Sequence, residues 1–370
     1  MERYRFGRVV VKVGSNVLTR DDGTLDTTRM SALSDQIAQL HRGGVEIILV
    51  SSGAVAAGRS ELGTERKLDS VSARQLFSAV GQVKLINRYY ELMRDRGILC
   101  GQVLTTKESF STRRHYLNQQ HCMTVMLDHG VIPIVNENDT VSVTELMFTD
   151  NDELSGLIAA MMDAEALIIL SNIDGIYNGD PSDPASAVIR TVEPHRDDLS
   201  GYIQTGRSQF GRGGMLTKYR MASKVADEGI EVTVANGKRD GILTDLLSPG
   251  SDVVSTRFVP ASHSISQVKK WIAHSEGFAK GELHINEGAY EALLRPASAA
   301  SHATASGPGR WRGAKAADRS CITIIFIWIK RNKAYGTEIS FRTGRRGFAL
   351  AEPDRAGTDR PGAALRSRCG

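Results

Sequence analysis

Two hydrophobic periods alternate along the first 260 residues. A continuous β-branched run at 8–13 (RVVVKV) predicts a strand buried on both faces, with one lysine inside it. At 26–41, Met30, Leu33, Ile37 and Leu40 recur at helical spacing, and Gly43-Gly44 ends the helix they predict. The run at 45–50 (VEIILV) predicts a second strand. Helical patterns at 71–96, 113–128, 151–162 and 215–228 then interleave with strand patterns at 98–104, 131–135, 166–170 and 230–235. This alternation predicts an α/β fold, a mostly parallel sheet covered on both faces by helices. Ligands of such sheets bind beyond the carboxyl ends of the strands, so the strand-to-helix turns are where chemistry is expected.

Those turns carry groups suited to anions. Lys12-Val13-Gly14-Ser15-Asn16 closes the first strand. A lysine within an apolar strand is costly to bury unless it meets a crevice or an anion, and Gly14 lets backbone approach a phosphate. The plainer alternative is a strand-end lysine reaching solvent. Ser51-Ser52-Gly53-Ala54 follows the second strand and opens a helix, where exposed N–H groups suit a carboxylate or phosphate. An ordinary serine N-cap would look the same. Asn136-Glu137-Asn138-Asp139 and Asp150-Asn151-Asp152 form two polar clusters, more than helix capping requires. They could bind an ammonium group or orient lysines. In Arg212-Gly213-Gly214-Met215-Leu216-Thr217-Lys218, the glycine pair could wrap nucleotide phosphates while Lys218 reaches a γ-phosphate. A glycine pair before a helix is a weak signal, and its pairing with Lys12 gives it weight. Phosphoryl transfer needs cations and N–H groups around the moving phosphate and little covalent chemistry.

Other chemistries find less support. No G-x-x-x-x-G-K-[ST] occurs, and His195-Arg196-Asp197 lacks the Asn and D-F-G that a protein kinase would add. Cys100, Cys122, Cys321 and Cys369 form no C-x-x-C pair, so neither a zinc site nor a disulfide framework is signalled. No apolar run approaches the roughly 20 residues that span a bilayer, and the start lacks a signal-peptide pattern. A cytoplasmic protein without membrane contact is expected.

In this order VVKVGSNVLT (10–19), ILVSSGAVAAGR (48–59), PIVNENDTV (133–141), TDNDELS (149–155), LSNIDGIY (170–177) and RGGMLTK (212–218) resemble the amino acid kinase family, over residues 7 to about 260. The NEND and DND pair and SSGAVAAGR resemble its glutamate-phosphorylating branch rather than aspartate, uridylate or carbamate kinases. The resemblance implies a three-layer αβα sandwich around a mostly parallel sheet of roughly eight strands. It implies that Lys12 and Lys218 offset charge on the transferring phosphoryl group while Asp152 orients both. Gly14 and Gly53 would donate N–H groups to phosphates. Ser52, Asp139 and Asn151 would bind L-glutamate, with Asn136 as helper. Ser171, Asn172 and the loop Arg212, Gly213, Gly214, Met215, Leu216, Thr217 and Lys218 would hold ATP, with Mg²⁺ carried by its phosphates and no dedicated metal site. Feedback inhibition by proline and homo-oligomerisation are implied too. Two departures stand out. Asn172 replaces a usual aspartate, keeping hydrogen bonding and losing a charge, and Arg212 replaces a usual small residue, adding a cation. Competing readings are a kinase for another acid, aspartate or an N-acylglutamate, and an RNA-binding protein acting through its C-terminal unit.

That unit follows a linker-like stretch at 260–266. Its opening, 268–294, resembles the start of a PUA domain, a module that binds RNA in other proteins. From 296 the pattern dissolves into Ala, Ser, Gly, Arg and Pro, interrupted by an apolar run at 321–329. Residues 296–370 hold 14 Lys+Arg against 5 Asp+Glu, leaving 32 against 37 in the rest of the chain. Three segments are therefore expected: a kinase domain at 1–260, a linker and incomplete, β-rich PUA-like start at 261–294, and an aberrant basic tail at 295–370. A shifted reading frame accounts for the break in mid-domain, and a divergent, partly disordered extension is the alternative. On the first reading the basic charge says nothing about RNA, and the apolar run is an aggregation hazard. Sequencing the coding DNA is expected to reveal a shift of reading frame near codon 295; an intact frame with no upstream slip contradicts it.

Overall fold

The computed structural model describes residues 4–63, 68–142, 148, 150–181, 183–194, 215–262 and 271, with the backbone of 281–285, 322–326 and 341–345. The elements run β1 (Arg8–Val13), α1 (Ser15–Leu18), α2 (Thr27–Arg42), β2 (Glu46–Ser51), α3 (Ala54–Leu62), α4 (Ser70–Arg94), β3 (Leu99–Thr105) and a 3-10 turn (Lys107–Phe110). Then follow α5 (Arg113–Asp128), β4 (Val131–Glu137), α6 (Asn151–Met161), β5 (Ala166–Ser171), β6 (Thr191–Val192), α7 (Met215–Asp227), β7 (Glu231–Asn236), α8 (Ile242–Leu247) and β8 (Thr256–Phe258). The strands form one eight-stranded sheet in the order β3-β4-β2-β1-β5-β7-β8-β6. Every pairing in it is parallel except β7 with β8.

The central strands are those with unbroken apolar runs. All six residues of β5 are buried, and β1 is buried from Val9 onward, as a sheet covered on both faces requires. Val9 faces Ile47 on one side and Ala166 on the other, so β1, β2 and β5 end level at their carboxyl ends. One core joins β1, β2, β4 and β5 to α2, α4 and α8 through side chains such as Met30, Leu33, Ile37, Leu85, Tyr89 and Leu243. Local signals fix the helix starts. Asp26 accepts from Arg29 N at the head of α2, and Asp69 accepts from Val71 N and Ser72 N at the head of α4. The expected helix at 71–96 begins one residue earlier and stops at Arg94. The elements α1, α8, β6 and β8 were not expected, because runs of two to six residues are too short to show a period.

The chain separates into two compact units, Met1–Ser275 and Glu276–Gly370. In the second, β9 (Gly281–Ile285), β10 (Ile322–Phe326) and β11 (Phe341–Arg345) form an antiparallel sheet in the order β11-β10-β9. The heart of the apolar run at 321–329 is thus β10, with its backbone paired on both sides. Among the described residues no helix is long and apolar enough to cross a membrane.

The helices α3 and α4 touch backbone to backbone. A Cβ on Gly81 would overlap Ala54 O and Gly58 N, and one on Gly58 would overlap Phe77 O. Neither clash can be relieved by turning a side chain. Gly81→Ala is therefore expected to destabilise the protein by about 3 kcal/mol, the upper end for overpacking. A urea midpoint equal to that of the unsubstituted protein would contradict this contact.

Candidate active site

At the carboxyl edge of β1 the buried lysine finds its anion. Lys12 Nζ lies 2.6 Å from Asp152 Oδ1, and Lys218 Nζ lies 2.6 Å from Asp152 Oδ2. The lysine side chains are 7% and 13% exposed, and that of Asp152 is 1% exposed. Three elements bring them there: Lys12 from the end of β1, Asp152 from the first turn of α6, and Lys218 from the first turn of α7. Asp150 fixes the second of these, because its Oδ1 accepts from Asp152 N (2.9 Å) and Glu153 N (3.0 Å). The Asp152 carboxylate also sits at the positive end of α6. Burial alone would raise its pKa, but the ammonium groups of Lys12 and Lys218 outweigh burial and bring it down to about 2. Burial likewise works against the charge on Lys218, and the neighbouring Asp152 more than offsets it, so the pKa of Lys218 is raised.

A second polar layer adjoins this triad. The Asn151 amide nitrogen donates to Ser52 Oγ (2.9 Å) and Asn136 Oδ1 (3.0 Å), with Ser51 O at 3.4 Å. Asn136 in turn donates to Gln82 Oε1 at 2.8 Å. Beyond it, Arg74 donates to Glu137 Oε2 (2.8 Å) and pairs with Asp139, while Ser78 Oγ donates to Asp139 Oδ2 (3.3 Å). Ser142 Oγ and Phe148 N donate to Glu137 Oε1 at 2.9 and 3.0 Å. Burial, then the Asp139 charge, raise the pKa of Glu137, and Arg74 opposes them. Asp150 Oδ2 is buried without a hydrogen-bond partner among the described residues. Burial and the charge of Asp152 raise the Asp150 pKa.

Most residues expected from the sequence converge here. Lys12, Asp152 and Lys218 meet directly; Ser52, Asn136 and Asn151 form one hydrogen-bonded group, and Asp139 stands beside it. Gly53 opens α3 in the left-handed conformation (φ 105°), and its N–H has no partner among the described residues. Gly14 requires a correction. Its N–H is taken by Leu170 O (3.1 Å), so it is no free donor for a phosphate. Its contribution is space: a Cβ there would sit 3.2 Å from Leu170 O and 3.5 Å from Lys12 Nζ. Ser171 ends β5 next to Gly14, and the exposed Asn172 follows it. Met215, Leu216 and Thr217 lead into Lys218 on α7. Arg212, Gly213 and Gly214 lie outside the described residues.

Sequence reasoning missed Arg74, Ser78 and Gln82. They recur every four residues on α4 and form a polar stripe on a face that also carries Phe77, Gly81 and Leu85. Polar residues recurring every four positions beside the apolar ones of the same helix were the available signal.

Comparison with known proteins fits this arrangement. A model of the amino acid kinase family matches residues 7–236. Over 291 residues the chain is 74% identical to a glutamate 5-kinase of Bacteroides thetaiotaomicron, covering 79% of this chain and 81% of that one. Over 288 residues it is 47% identical to a glutamate 5-kinase of Chlorobaculum tepidum, covering 78% of each. Among solved structures, an isopentenyl phosphate kinase superposes with a TM-score of 0.50 at 18% identity, over 68% of this chain and 100% of that chain, a likeness of fold alone. A family match spanning more than half the chain, joined to relatives this near, gives one assignment: the chain belongs to the amino acid kinase family.

Proposed function

We infer that this protein transfers the γ-phosphoryl group of ATP to the side-chain carboxylate of L-glutamate, giving L-glutamyl 5-phosphate and ADP, the first step of proline biosynthesis. The observation that carries the phosphoryl-transfer reading is the single buried carboxylate of Asp152 gripped by two ammonium groups. Two ammonium groups converge there in nearly dry surroundings, where they attract a phosphate far more strongly than in water. The glutamate reading rests on the high identity to glutamate 5-kinases.

In the mechanism that follows, a glutamate side-chain oxygen attacks the γ-phosphorus as the bond to the ADP oxygen opens on the opposite side. No protein base is needed, because a carboxylate with a usual pKa near 4 is already ionised at neutral pH. Lys12 and Lys218 neutralise charge spreading over the phosphoryl oxygens, and Asp152 keeps both amines aimed at that point. The free Gly53 N–H suits another phosphate oxygen. Ser171, Asn172 and the residues from Arg212 to Lys218 flank the nucleotide. Ser52, Asn151 and Asn136 offer hydroxyl and amide groups to the glutamate. Asp139 and the unpartnered Asp150 Oδ2 offer acceptors for its ammonium group. Among the described residues no group of three or more His, Cys, Asp or Glu side chains gathers as for a metal. On this reading Mg²⁺ would be carried by the nucleotide phosphates and would reduce their negative charge. Proline inhibition at a site overlapping that of glutamate, and assembly as a homo-oligomer, belong to the same reading.

Trapping the acyl phosphate with hydroxylamine across a panel of acids tests the proposal. Hydroxamate is expected with L-glutamate and ATP, at a rate at least about 10²-fold above that with L-aspartate or N-acetyl-L-glutamate. Added L-proline is expected to raise the apparent KM for glutamate. Turnover of aspartate without turnover of glutamate would overturn the substrate assignment.

A further inference from the structure

The transfer just described makes no use of a buried aromatic cluster behind the acidic residues. Phe110, at the end of the 3-10 turn, meets Tyr116 of α5 edge-on, with ring centroids 6.4 Å apart and planes at 73°. It meets Phe148 in the same manner at 5.8 Å and 78°. All three rings are buried. Behind Phe110 lies Trp271, also buried, whose Nε1–H donates to Phe110 O at 2.9 Å. The guanidinium of Arg113 lies 5.9 Å from the Trp271 ring centroid. Trp271 thus comes from beyond β8 and beyond residue 236, where the match to the family ends.

Phe148 ties this cluster to the acidic residues. Its backbone N–H donates to Glu137 Oε1 (3.0 Å), and the other oxygen of Glu137 accepts from Arg74 (2.8 Å), which also grips Asp139. Phe148 also stands two residues before Asp150, the cap of α6. Direct contacts therefore run from Trp271 through Phe110, Phe148, Glu137 and Arg74 to Asp139. Glu137 is a sensitive link, since burial favours its neutral form while Arg74 and the Phe148 amide favour its charged one. A Phe148 backbone that drifts withdraws a hydrogen bond from a buried carboxylate, and Arg74 and Asp139 lose their fixed partner. Aromatic edge-to-face contacts and a buried indole N–H bond supply the rigidity that prevents this drift.

We propose that Trp271 is a positioning residue for the amino-acid substrate: through Phe110 and Phe148 it holds Glu137, Arg74 and Asp139 in register. The proposal rests on the glutamate-kinase reading above. It makes substrate affinity depend on the segment that leads out of the kinase sheet, while the lysine pair on Asp152 lies outside the chain of contacts.

The test uses the full chain. Trp271→Ala is expected to raise the KM for glutamate about tenfold, with kcat within about threefold and the KM for ATP unchanged; Trp271→Phe, which keeps a ring, recovers most of the loss. With Trp311→Phe and Trp328→Phe as background, Trp271 is the only indole left in a chain of three tryptophans. Its emission is expected to shift on saturation with glutamate and to stay constant with ATP alone. Equal rises in both KM values, or an unchanged glutamate KM in Trp271→Ala, overturn the proposal. If Trp271→Ala fails to fold, the single-tryptophan emission decides: no response to saturating glutamate refutes it. Failure of the underlying reading is distinguishable, because the unsubstituted protein would then show no glutamate-dependent turnover at all.

Discussion

The proposed chemistry depends on one carboxylate that cannot be left alone. Asp152 is fully buried, and a buried charge is tolerable only when it is paired. Its two oxygens each hold one ammonium group, from residues 12 and 218, and those amines are themselves too dry to stand without it. Removing the carboxylate would leave two uncompensated cations; removing one lysine would leave the other with all of the anion. The three groups therefore specify one another, and in the proposed transfer a phosphate arriving at the pair would meet cations whose direction is already set.

The fold serves this constraint by bringing strand ends together. In a parallel sheet all carboxyl ends lie on one edge, so β1 delivers Lys12 and Gly14, β2 delivers Ser51 and Ser52, and β4 delivers Asn136 and Glu137 to the same side. The helices then set fine positions. The close backbone contact of Gly58 with Gly81 fixes α4 against α3, and α4 carries Arg74, Ser78 and Gln82 to the acidic residues. A glycine pair outside the lysine–aspartate group thus governs where the polar stripe of α4 reaches.

Much of this was legible in the sequence because the signals were strong and local. RVVVKV reads as a buried strand and also as a misplaced lysine, and both readings hold: the lysine is inside because Asp152 is there. The two acidic clusters after β4 and at the head of α6 stood out by density, and the hydrogen bond from Asn151 to Asn136 now joins them. What escaped notice depends on tertiary contacts. Nothing local told that the Gly14 amide would be taken by Leu170 O, since that bond crosses from β1 to β5. Arg74 looked like an ordinary basic residue on a long helix until α4 was laid over Glu137 and Asp139. Trp271 lay among residues read as a separate unit, and its partner Phe110 is 161 positions away.

The central claim is that Lys12, Asp152 and Lys218 act as a unit, and a mutant cycle on single-turnover phosphoryl transfer measures it most directly. The account predicts that Lys12→Met, Lys218→Met and Asp152→Asn each slow transfer by about 10²–10³ and that adding Asp152→Asn to either lysine variant costs little more. Losses that multiply independently would contradict it.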